Sequence, residues 1–213
     1  MIPLRDDNPA QRVPVVTRTL IAVNVLVFVF ELTRGEDLPE FLRNWGLVPG
    51  NLFAAVSDVT TLPRELGTVF TSLFLHGGWL HLIGNMWYLW IFGDNVEDRM
   101  GSWRFLGFYL SAGFVAALLH SALQPRSPIP TVGASGAIAC VLGAYALAFP
   151  RARVMTLIPI FFFFQVVAVP ALVLLGIWFV FQFLAGAMSI GSGSGSGGVA
   201  WWAHIAGFAY GFV

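Results

Sequence analysis

Long apolar runs alternate with shorter polar connections along this chain, near Val15–Leu32, Trp79–Phe92, Trp103–Leu123, Thr131–Phe149, Pro170–Met188 and Val199–Val213. A bilayer-spanning helix needs about 20 predominantly apolar residues, so the pattern predicts six membrane crossings in an all-α, polytopic helical bundle. The Trp79 run is short, but it extends through Leu73–Leu75 and towards Val96, with polar residues that a bundle has to shelter. From Val154 to Met188 the almost uncharged stretch is too long for one straight crossing and too short for two with a turn. Proline suits a first helical turn and disrupts a helix interior. The fifth helix is therefore predicted to start at Pro170, and Leu157–Val169, with the run Phe161–Phe164, to form an interfacial segment.

The connections divide the rest. Residues 1–14 are expected to be a short cytoplasmic segment before a membrane domain over residues 15–213. Its long first loop, residues 33–71, holds eight charges and Trp45 and is too apolar for a linker, so it is expected to pack as short interfacial helices. Residues 191–198, all Gly and Ser, read as a flexible loop before helix six. The last run is still apolar at Val213, which is compatible with a longer natural chain.

Composition supports the membrane class: of 213 residues 57% are hydrophobic and only 10% charged, far from soluble norms. The net charge is zero and all 11 basic residues are Arg, so no nucleic-acid partner is indicated. With the N-terminus inside, Arg5, Arg12, Arg18, Arg99, Arg104, Arg151 and Arg153 fall on the cytoplasmic side. Arg34, Arg43, Arg64 and Arg126 fall outside, which follows the positive-inside bias. The lone Cys140 excludes an internal disulfide and any multi-cysteine metal site. Asp6, Asp7 and three prolines before the first run do not resemble a cleavable signal peptide. No Asp or Glu follows Asp98, and that absence limits the chemistry available to the second half.

Polar side chains at helix depth are costly in hydrocarbon and usually have a partner or a function. Here they are His76, His81, Asn85, His120, Ser135, Gln182 and His204, with Asn24 and Ser111 as minor members. In the six-crossing arrangement Ser135 lies about one turn inside the outer end of helix four, and His204 one to two turns inside that of helix six. His81 and Asn85, spaced i,i+4, share a face of helix two at the same level. Ser135, Ala139 and Gly143 on one helix and Ala203, Gly207 and Gly211 on the other form small-residue stripes at spacing four. Such stripes are ordinary packing motifs on their own, but they let backbones approach closely in lipid. A serine-to-histidine hydrogen bond between two helices needs that approach.

The segments Gly133-Ala134-Ser135-Gly136 and Ala203-His204-Ile205-Ala206-Gly207, with Gly211, resemble the GxSG and AHxxGxxxG signatures of rhomboid intramembrane serine proteases. His81 to Asn85 resembles that family's HxxxN, and Glu97-Asp98-Arg99-Met100-Gly101 its ExRxG turn, so the likeness runs in order from Phe70 to Gly211. The resemblance implies a six-helix rhomboid bundle with a catalytic dyad, Ser135 as nucleophile and His204 as general base. His81, Asn85 and the Ser135 backbone N–H would stabilise the oxyanion. It implies single-span membrane proteins as substrates, the lipid bilayer as surroundings, and no cofactor or metal. The compact layout suggests a bacterial inner membrane. The missing carboxylates independently disfavour a Ser-His-Asp triad, because Asp94, Glu97 and Asp98 lie at the opposite end of helix two.

Two features depart from the family pattern. Some members place an aromatic residue four positions after the serine, against the histidine, whereas this chain has Ala139. The usual Trp-Arg pair of the first loop is replaced by Asn44-Trp45-Gly46. Glu97 and Arg99 are expected to pair structurally, and His76 and His120 to be interfacial residues or neighbours of the site. The competing reading is a catalytically silent rhomboid-like protein that binds membrane clients. A transporter would carry an internal repeat, and none is visible.

Overall fold

Prolines mark several helix starts, because a ring-locked φ suits a first turn and no N–H is needed there. In the computed structural model, which describes residues 1–160, 163–191 and 200–212, Pro14 precedes α1 (Val15–Leu32). Pro39, Pro49 and Pro63 stand in the first turns of α2 (Leu38–Trp45), α3 (Pro49–Ala55) and α4 (Leu62–Thr71), which occupy most of the long first loop. The chain continues as α5 (Trp79–Met100), α6 (Ser102–Leu123), α7 (Ser135–Ala148), α8 (Ala171–Gly191) and α9 (Trp201–Tyr210). Pro170 directly precedes α8, and a single helix occupies the stretch after it.

Each of the six apolar runs holds a helix, but length separates them. Among the described residues α1, α6 and α8 are long and apolar enough to cross a membrane, and α4 with α5 would make a fourth span broken by a 79° bend. The 14 residues of α7 and the 10 of α9 are shorter than a full crossing. Every residue from Gly136 to Gly143 is buried, because α7 packs against α5, α6 and α9. A helix apolar on all sides belongs in such a central position.

The all-α expectation needs correction. Strands β1 (Ile2–Asp6), β2 (Arg153–Ile160) and β3 (Phe163–Pro170) form a three-stranded antiparallel sheet in that order, and the segment expected to be interfacial is its β2–β3 hairpin. Val154, Thr156, Ile158, Val166, Val167 and Val169 are β-branched and favour the pleated conformation. Pro159 lies beyond residues 154–157, the part of β2 that pairs with β1, where a missing N–H is tolerated at a free edge. Phe161 and Phe162 lie outside the described residues, as does the predicted glycine–serine loop from residue 192 onward.

The N-terminal segment is fastened along α5 and α7. Trp87 Nε1–H donates to the Pro3 carbonyl at 2.6 Å and the Tyr145 hydroxyl to Asp6 Oδ2 at 2.5 Å. The Asn95 amide donates to the Asn8 carbonyl, and the Gln11 N–H to Asp98 Oδ2 at 3.0 Å. Glu97 does not pair with Arg99. Its carboxylate accepts from the N–H groups of Val16 and Thr17 at 2.9 and 2.7 Å, the Thr17 hydroxyl at 2.8 Å and the Ser102 hydroxyl at 2.6 Å. A carboxylate at a helix N-terminus satisfies orphan donors and faces the positive end of the helix dipole, so Glu97 ties α1 to the α5–α6 corner.

Candidate active site

Ser135 is held at a helix start by the loop before it. Thr131 and Leu47 form an isolated β-bridge, with N–H···O distances of 2.7 and 3.1 Å, and the Gly133 N–H donates to the Ser72 carbonyl at 2.8 Å. The first loop therefore braces the loop that delivers the serine. Gly133 has φ +125°, and a Cβ there would stand 2.7 Å from Cε1 and Nε2 of His81. Only glycine meets both the backbone conformation and the close approach. The sequence placed Ser135 one turn inside its helix, whereas α7 begins at Ser135 itself. Its N–H is thus among the first-turn donors that have no partner within the helix.

His204 lies in the first turn of α9, and its Nε2 is 2.7 Å from Ser135 Oγ. This distance depends on backbone contact between α7 and α9. A Cβ at Gly207 would collide with the Gly136 carbonyl, one at Gly143 with that of Phe208, and one at Gly211 with that of Cys140. The small-residue stripe read from the sequence makes this contact, with Gly136 added to it. Ala139 packs against Gly207, 3.3 Å from the place its Cβ would take.

The support that an aromatic residue at position 139 would have supplied comes from elsewhere. Gln182 Oε1 on α8 is 2.6 Å from His204 Nδ1. The rings of Trp178 and Trp201 stand with centroids 5.9 and 6.3 Å from that of His204. Sequence reasoning picked out Gln182 as a polar residue at depth but gave it no partner, and it missed Trp178. The available signal was their i,i+4 spacing on an otherwise apolar helix.

His81 and Asn85 occupy the first two turns of α5. His81 Nδ1 accepts the Gly77 N–H at 3.4 Å, which leaves Nε2 to carry the ring proton of the neutral imidazole. Among the described residues buried Asn85 Nδ2 has no hydrogen-bond partner, a costly state for a donor unless a ligand completes it. His76 is buried with its ring edge-on to His81, 5.2 Å between centroids, and its backbone N–H donates to the Glu31 carboxylate at 3.2 Å. Asn24 donates to the Leu20 carbonyl at 2.7 Å, and the Ser111 hydroxyl lies 3.3 Å from that of Tyr210.

Ser135, His204, His81, Asn85, Gln182 and His120 all line one cavity of about 1170 Å³, and no Asp or Glu is among its described lining residues. The structure thus brings together the four residues singled out from the sequence. A hydroxyl bonded to a neutral imidazole, facing a buried amide donor and a second imidazole, can carry out acyl transfer. Among the described residues no three His, Cys, Asp or Glu side chains are gathered to hold a metal ion.

Comparison with known proteins identifies a family. The Rhomboid domain family model matches residues 63–213. The chain is 36% identical over 132 residues to "Rhomboid protease GluP" of Bacillus subtilis, covering 62% of this chain and 24% of that protein. It is 32% identical over 148 residues to "Presenilin-associated rhomboid-like protein, mitochondrial" of Bos taurus, covering 68% and 36%. It is 29% identical over 140 residues to "Rhomboid protein 1, mitochondrial" of Saccharomyces cerevisiae, covering 64% and 37%. The matches thus span between a quarter and just over a third of the length of these relatives. With mostly helical architecture, several helices apolar enough to cross a bilayer and a family match over more than half its length, this chain belongs to the rhomboid family of membrane proteins.

Proposed function

We propose that the chain is an intramembrane serine endopeptidase that cleaves within or beside the transmembrane segments of single-span membrane proteins, using Ser135 and His204 as a dyad. The observation that carries this reading is the 2.7 Å contact between His204 Nε2 and Ser135 Oγ inside a cavity that His81 and Asn85 also line. Ser135 Oγ attacks the scissile carbonyl carbon as its proton passes to His204 Nε2. The oxyanion accepts hydrogen bonds from Asn85 Nδ2, His81 Nε2 and the Ser135 N–H, each such donor being worth roughly 10²–10³ in rate. The C–N bond then breaks, and His204 returns the proton to the leaving amine. Water, deprotonated by the same imidazole, hydrolyses the acyl-enzyme and regenerates the serine.

The reading carries six crossings with the N-terminus inside, α7 and α9 being short crossings within the bundle, and a membrane domain over residues 15–213. Localisation is that of a multi-pass membrane protein. Several of the relatives are mitochondrial, so they lend no support to a bacterial inner membrane as the compartment. The test is labelling of the full chain in detergent with a fluorophosphonate. Labelling of the wild type that disappears in Ser135→Ala and His204→Ala is expected. Well-folded wild type that takes up no label would favour a silent, client-binding protein instead.

A further inference from the structure

Gln182 is the sole amide or hydroxyl side chain between Ala171 and Met188 of α8. A lone amide on such a helix is expensive in hydrocarbon, yet it is 8% exposed and turned inward, with Oε1 2.6 Å from His204 Nδ1. An amide oxygen can only accept, so the hydrogen of this bond resides on Nδ1. A neutral imidazole with Nδ1–H leaves the Nε2 lone pair for the Ser135 hydroxyl, 2.7 Å away. In the opposite tautomer Nε2–H would point at Ser135 and the Nδ1 lone pair at the Gln182 oxygen, and the packed amide would have to turn over to present its N–H in place of Oε1.

The seat of this amide is built. Trp178, Gln182 and Gly186 recur every four residues on one face of α8. The Trp178 ring lies 5.9 Å from that of His204, and a Cβ at Gly186 would sit 3.4 Å from Ile205, Trp201 and Trp202. The α8 face therefore closes on the first turns of α9, and the amide is carried to the imidazole by helix packing.

We propose that Gln182 is a positioning residue: through Oε1 it holds His204 in the Nδ1–H tautomer, the task a carboxylate performs in a Ser-His-Asp triad. The catalytic consequence rests on the protease reading above. A neutral amide orients the ring without adding a counter-charge, so its loss costs less than the factor of about 10⁴ seen when tautomer control fails in a soluble triad. Because the amide rides on α8, the base is set for proton abstraction only while that helix is seated against α9.

The test uses the full chain in micelles with ¹⁵N-labelled histidine, the His204 ring signals being assigned through His204→Ala. In the wild type Nδ1 is expected to be protonated and Nε2 not. Gln182→Met, of similar shape but with no acceptor, is expected to shift the ring towards the Nε2–H tautomer. It should also lower kcat for a transmembrane-segment substrate about 10- to 100-fold with KM little changed. Gln182→Glu, which keeps an acceptor oxygen, is expected to retain the Nδ1–H tautomer and to restore turnover to within a few-fold. An unchanged tautomer in Gln182→Met overturns the proposal. A wild type without Ser135-dependent fluorophosphonate labelling, whose His204 tautomer still responds to Gln182, sinks the protease reading and leaves the positioning role standing.

Discussion

The Asp6 carboxylate is half-buried, and loss of solvent raises its pKa above the ordinary aspartate value, with the Tyr145 hydroxyl bond opposing and Asp7 adding to the shift. Its sign is the reverse of the usual salt-bridged aspartate. A raised folded-state pKa means that the native chain binds this proton more tightly than the unfolded chain does. Stability from this group is therefore present at low pH and lost as pH rises through the shifted range. Asp6→Asn keeps an acceptor for Tyr145 and removes the charge. Its thermal stability in detergent is expected to equal or exceed that of the wild type at neutral pH, with the wild type gaining relative to it on acidification. A wild type that loses ground to Asp6→Asn as pH falls would contradict this account. At the same scale His81 and Asn85 were legible in the sequence because i,i+4 polar residues on an apolar helix stand out. Their convergence with Gly133 was not, since it depends on a loop that crosses between helices.

At the scale of elements, the α7–α9 contact decides whether Ser135 and His204 meet. Gly207→Ala would drive a methyl into the Gly136 carbonyl, whereas Gly176 on α8 has nothing within 4 Å of a Cβ. Overpacking of a tight contact costs about 1–3 kcal/mol, and glycine in a helix costs roughly 0.5–1 kcal/mol relative to alanine. Gly207→Ala should thus lower the melting temperature and the rate of serine labelling together. Gly176→Ala should leave both unchanged or raise the first. Equal melting temperatures for the two variants would rule out backbone contact as the element that brings Ser135 to His204. The β2–β3 hairpin shows the opposite relation to sequence. Its hydrophobicity was visible, but a continuous apolar stretch does not distinguish strand from helix or interfacial segment. Pairing with β1, far away in the chain, selected the strand.

For the whole molecule, six crossings require residues 11 and 151 to lie on one side of the bilayer and residues 57 and 126 on the other. In a Cys140→Ala background, Gln11→Cys and Arg151→Cys are expected to react with an impermeant maleimide only from the cytoplasmic side. Ser57→Cys and Arg126→Cys should react only from outside. Labelling of residues 126 and 151 from the same side would remove α7 as a crossing. The short α7, buried between α5, α6 and α9, is the helix whose crossing this labelling decides.

Read alone, the chain determined its membrane class, the helices within its six apolar runs, the start of the helix in the fifth run after Pro170 and the four residues that line one cavity. Each follows from local rules: periodicity, proline geometry, and the cost of a polar group in hydrocarbon. Tertiary structure alone decided that Glu97 caps α1 and does not pair with Arg99, that β1 joins a sheet with β2 and β3, and that Ser135 opens its helix. It also decided that His204 leans on Gln182 and Trp178 of α8 in place of a neighbour at position 139. These are long-range pairings, in which a donor or a surface is satisfied by a partner many residues away, and no window of sequence contains both halves of such a contact.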